Sequence, residues 1–244
     1  MHIQKTSQSS YHELRILANV ATLKDAELTA AAFSAPDSHS EYFKSILEKL
    51  GRIAIASNKN IQFLKSAEDI LTPFQNHQIL FPQCSPSQIL KLKEDTDARV
   101  MLTMCENMFR KWRPIYTLPD GNCAFNAFVL YLTASISLNL SRLLRICVVV
   151  ELLFHHNDYH GVLANYCKSS NADFINDEIY QEMRSVCKDK HYCGFVTFVA
   201  LATVLSHPVR LIHPIVSVQT KSGFAYNSHS MNCTFFTCPR HKEF

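Results

Sequence analysis

The chain has 244 residues, 47% of them hydrophobic and 18% charged, with a formal net charge of +3 and only 5 glycines. That composition excludes a disordered or linker-rich polymer, and the length suits one domain with an appendage or two small domains. The densest basic stretch is Arg110, Lys111 and Arg113, too short to be the footprint of a nucleic-acid binder. The longest apolar run, 146–154, is interrupted by Glu151 and is too short to span a bilayer, so no membrane partner is expected. No apolar core follows Met1-His2-Ile3-Gln4. The expectation is therefore an intracellular protein, cytoplasmic or nuclear, whose 9 cysteines are free thiols.

In chain order, residues 11–33 are rich in Leu, Ala and Glu and predict a helix, broken by Ala35-Pro36-Asp37-Ser38. Phe43, Ile46, Leu47 and Leu50 fall at i, i+3, i+4 and i+7, an amphipathic helix ended by Gly51. Residues 61–71 predict a third helix, stopped at Thr72-Pro73, and 75–87, with Pro82 and Pro86, reads as a connector. Residues 1–83 are thus expected to form a helical N-terminal extension, and 84–244 the main domain. Residues 95–112 predict a helix with Val100, Met101, Met104 and Met108 on a core-facing side. The turn residues of 118–122 precede a helical run over 125–132, with Cys123 at its start. The strongest helix covers 137–156, where Leu144, Cys147, Val148 and Leu152 share a face. Two more follow: 173–186 through Ile175, Ile179 and Met183, then the very apolar 194–205, closed by Pro208. Residues 209–213, 215–218 and 232–238 read as short strands. The fold class expected is α+β, with helices packed on a small mixed sheet.

The segment Asp120-Gly121-Asn122-Cys123 concentrates the chemistry. A thiol at a helix N-terminus faces unsatisfied N–H groups and the positive end of the dipole, which favour the reactive thiolate. Gly and Asn tolerate unusual backbone angles, so such a turn can direct several N–H groups into one concavity, as an oxyanion hole requires. The plainer reading makes Asp120 a helix cap and Cys123 a small core residue. Local mechanics leave the two readings level.

Asp120-Gly121-Asn122-Cys123 followed by Phe125 and Ala127 resembles the nucleophile motif of the ovarian-tumour (OTU) cysteine proteases. Ala124 is smaller than that motif has, and Asn126 stands where Arg is usual. The family's second block, Trp-Gly then Glu-Leu then Ala-Leu, is matched in spacing by Cys193-Gly194, Thr197-Phe198 and Ala200-Leu201, with Trp and Glu lost. Leu144-Arg145, Glu151-Leu152, His155-His156-Asn157-Asp158-Tyr159, the course from Ala200 into Pro214, and Asn232 to Pro239-Arg240 look more like the vertnin-like OTU proteins. That likeness covers about 90–240.

The resemblance implies a papain-related OTU-like fold and a deubiquitinase-type thiol hydrolase of isopeptide bonds, with Cys123 as nucleophile and Asp120, Gly121 and Asn122 in the site and its oxyanion loop. Ubiquitin or a ubiquitin-like protein is the implied partner. The base histidine of active members follows the region of Pro239-Arg240, whereas this sequence ends at Phe244. The domain is therefore expected to be incomplete there. Substitutes for the base are His241, His229 and His213, with His207, before a proline, a poorer one. The alternative implied is a degenerate, vertnin-like regulatory module that binds a chromatin or transcription-associated protein. Cys187, His191 and Cys193, and likewise Cys233, Cys238 and His241, miss zinc-knuckle spacings, so no metal and no cofactor is expected.

Overall fold

The structure, a computed structural model, describes residues 40–75, 84–103, 112–167, 170–207, 209–220 and 223–236. The expected helix over 11–33 lies outside them, as do Met104, Met108 and His241.

Helix α1, Ser40–Ala56, buries Phe43, Ile46, Leu47 and Leu50, the stripe that its periodicity predicts. Gly51 does not end it. The helix runs on to Ala56, and a β-carbon at Gly51 would lie 3.4 Å from the Cys187 carbonyl oxygen. The glycine marks a close helix contact rather than a stop. Helix α2, Asn60–Leu71, buries Phe63, Ala67 and Leu71 and closes into a single 3-10 turn at Thr72–Phe74. Short helix α3, Pro86–Ile89, starts with a capping box between Ser85 and Gln88. Helix α4, Thr96–Thr103, carries the expected core residue Val100, which instead is 56% exposed.

Helix α5 is Cys123–Thr133. Helix α6, Leu138–His155, is capped by the Ser137 hydroxyl, which accepts from the Leu140 N–H. It is buried on almost every side, from Leu140 through Leu153, because α1, α2, α5, α8 and α9 all pack around it. A helix apolar around its whole circumference belongs at the centre of a domain. Past it, Tyr159 is fully buried and donates to Glu151 at 2.8 Å. Helix α7, His160–Cys167, leads to α8, Ala172–Val186, where Asn171 caps the N–H groups of Asp173 and Phe174. Ile175, Ile179, Met183 and Val186 form its buried face. Helix α9 is Phe195–Val204, and its N-terminus is capped from α8: Gly194 N–H and the Thr197 hydroxyl both donate to the Glu182 carboxylate.

The helical core is followed by strands β1, Val209–Thr220, and β2, Gly223–Phe236, paired antiparallel with register shifts near Pro214 and Val216. Here the α+β expectation is overturned. The described residues are mostly helical, and the only sheet among them is this hairpin. The β-branched runs read as three short strands lie, as far as residue 236, along its two arms, which pair with each other and meet α9. Burial is instead helix on helix: one hydrophobic cluster runs from Phe43 of α1 through α6 and α8 to Val209. No described helix is long and apolar enough to cross a membrane.

Candidate active site

The sequence places Asp120, Gly121 and Asn122 before α5, and the structure shows what each does. Asp120 Oδ1 accepts from the Asn122 N–H at 2.9 Å, closing the turn. Gly121 adopts φ +81°, and a β-carbon there would sit 1.7 Å from the Lys190 carbonyl oxygen. Both the backbone angle and the space reserve that position for glycine. Asn122 precedes the helix but does not cap it. Its side-chain oxygen is taken by Arg145 Nε at 2.6 Å and by the Lys190 N–H at 3.3 Å, and its amide donates to Asp189 at 3.1 Å. The first turn of α5 therefore has no side-chain cap from Asn122. Cys123 is the first residue of the helix, a free thiol, and half-buried.

Arg145 lies beneath this turn with none of its surface exposed. Its five N–H groups have five acceptors: Asn122 Oδ1 and the carbonyls of Gly121, Val186, Lys188 and His191. Its guanidinium also sits over the Phe125 ring, 4.4 Å from the centroid. Burial lowers its pKa, opposed by the negative potential of Cys193, Asp189, Asp120 and Cys123. One buried cation thus ties the turn at 120–123 to the loop at 186–191. Asp189 anchors the far side of that loop, accepting from Arg142 Nε at 3.1 Å. Burial alone would raise the Asp189 pKa, but the Asn122 hydrogen bond and the Arg142 charge outweigh it and hold the carboxyl below its usual range.

Asn126, 1% exposed, donates to Asp120 at 3.2 Å and accepts from the Ser141 hydroxyl at 2.6 Å. The residue thus bridges the turn to α6. Cys193 is half-buried in the same neighbourhood, and burial, reinforced by the Glu182 carboxylate, pushes its thiol up to about 12. Cys147 and Cys187 are also pushed up to about 12, by burial.

Cys123, Asp120, Gly121 and Asn122 are thus brought together as one turn. His213 and His229 lie on β1 and β2. Four other described imidazoles engage partners elsewhere: His155 lies 3.9 Å from the Asp158 carboxylate, His156 donates to the Leu153 carbonyl, His160 to Asn176, and His207 to the carbonyls of Leu205 and Ser206. Sequence reasoning quoted Arg145 without giving it a role and did not single out Asp189. The available signal was an arginine, Arg145, set between Leu144 and Ile146 on a helix that also carries Arg142.

A family model described as "Vertnin, OTU domain" matches residues 114–239, just over half of the chain. The chain belongs to the vertnin OTU-domain family. No curated protein and no solved structure matches it significantly. The matched span opens at Pro114, just ahead of the turn at 120–123, and includes Arg145, Asp189 and both hairpin strands. The vertnin OTU match therefore covers the whole hydrogen-bonded site, while α1 to α4 precede it.

Proposed function

We propose that the protein is a cysteine-nucleophile hydrolase of ubiquitin-type isopeptide bonds. The observation that carries this reading is the construction around Cys123: a glycine-dependent turn, an uncapped helix start and a fully bonded arginine underneath. In this reading the Cys123 sulfur attacks the carbonyl carbon at the C-terminus of the modifier. The first-turn N–H groups of α5 receive the oxyanion, the C–N bond breaks, and the amine leaves with a proton. Water then hydrolyses the thioester. His213 or His229 of the hairpin, or His241, supplies the proton acceptor, because it is the late part of the chain that carries these histidines. The experiment is hydrolysis of a ubiquitin C-terminal fluorogenic amide by the full chain, with Cys123→Ala and each histidine changed to alanine. Turnover lost in Cys123→Ala and in one histidine variant supports the reading, and turnover untouched by Cys123→Ala sinks it.

A second reading has its own observation. The family resemblance leads one to expect Arg where Asn126 stands, and Asn126 is buried and committed to Asp120 and Ser141. A site so altered suits a regulatory module that holds ubiquitin, or a chromatin or transcription-associated protein, without turnover. Partner binding of equal strength by wild type and Cys123→Ala, with no hydrolysis by either, is its signature.

A further inference from the structure

Two segments lie side by side at the site. The Lys190 carbonyl packs directly on the Cα of Gly121, with no room for a β-carbon. One Arg145 nitrogen, Nη2, donates to both the Gly121 and the His191 carbonyls. Two residues on from each of these carbonyls stands a half-buried free thiol, Cys123 and Cys193. Arg145 lies within electrostatic reach of both thiols. Cys193 also occupies the position where the OTU block resembled above has Trp, so this juxtaposition is a property of this chain.

We infer that Cys123 and Cys193 form a thiol pair that closes to an intramolecular disulfide when a peroxide reaches the site. In the first step the Cys123 sulfur attacks the peroxide. An S–O bond forms, the O–O bond breaks, and the thiol proton leaves with the alcohol or water, giving a sulfenic acid. In the second step the Cys193 sulfur attacks Cys123. The S–S bond forms, the S–O bond breaks, and hydroxide leaves as water with the Cys193 proton. Two thiols are oxidised and one peroxide is reduced. Burial keeps Cys193 protonated, so the second step is the slower one, and the sulfenic acid accumulates before the disulfide. This inference goes beyond the peptidase reading, since it needs only the two sulfurs and holds for a hydrolase or a binding module alike.

The test uses the full chain treated with hydrogen peroxide, sampled over time, trapped with dimedone or an alkylating agent, and mapped by peptide mass. The expected result is an early dimedone adduct on Cys123. It then gives way to a peptide pair joined through Cys123 and Cys193, with both thiols recovered after dithiothreitol. In Cys193→Val the dimedone adduct on Cys123 persists. If Cys193 stays alkylatable in the oxidised wild type, or Cys123 pairs with a different cysteine, the inference is overturned.

Discussion

Arg145 and Arg184 both gather backbone carbonyls, and they do different work. Arg145 has an acceptor for each of its donors and holds the turn at 120–123 against the loop at 186–191. Arg184 of α8 donates to the Ala54 and Ser57 carbonyls at the end of α1 and sits over the Phe63 ring of α2, 4.7 Å from the centroid. Its Nε is buried with no partner among the described residues. A cation at a helix C-terminus is a stabilising latch, and Arg184 fastens the first two described helices to the vertnin OTU span. The contrast teaches that a buried cation with every donor matched defines a geometry, whereas one with a spare donor only joins two surfaces.

Removing Arg145 should have the largest effect. Arg145→Met leaves five acceptors without their donor in a dry interior, and roughly 3–5 kcal/mol of stability should be lost, read by urea unfolding. Gly121→Ala forces a β-carbon into the Lys190 carbonyl at positive φ, and roughly 2–4 kcal/mol should be lost in the same assay. Both variants should also lose the reactivity of Cys123 toward an active-site electrophile. Arg184→Met breaks two carbonyl bonds and a ring contact remote from the thiol. A cost of roughly 1–2 kcal/mol with Cys123 reactivity unchanged is expected. If Arg184→Met abolished reactivity while folded, the division of labour between the arginines would be wrong.

Asp189 sharpens the comparison through pH. Its folded pKa lies below the ordinary 3.8, so its contribution is complete above that value and is lost as pH falls through the folded pKa. The stability gap between wild type and Asp189→Asn should be the same at about pH 7 and about pH 5, and shrink below about pH 3.5. A gap that widened with acid would reverse the sign assigned to the carboxylate. Cys123→Ala should have the smallest effect, within about 0.5 kcal/mol of wild type, since the thiol is half-buried.

Helix α1 was legible because Phe43, Ile46, Leu47 and Leu50 obey a helical period, and α5 because turn residues announce it. Gly51 misled, since a glycine that permits a close helix contact looks in sequence like one that ends a helix. Val100 misled because an apolar residue on a periodic face need not be covered. The sheet was misjudged because β-branched runs show extended backbone but not what they pair with. At the site, Asp120 to Cys123 could be read locally, since the turn closes on itself. Arg145 and Asp189 could not. Their bonds to the turn span 23 and 67 residues of sequence, and only the packing of α6 and α8 brings them there.

The most direct test is incubation of the folded full chain with ubiquitin bearing a C-terminal electrophile, read by intact mass with Cys123→Ala as control. One adduct on Cys123, absent from the control, is the result predicted for a thiol presented by this turn to a modifier's C-terminus. No adduct on folded wild type, or an adduct that persists in Cys123→Ala, would contradict it.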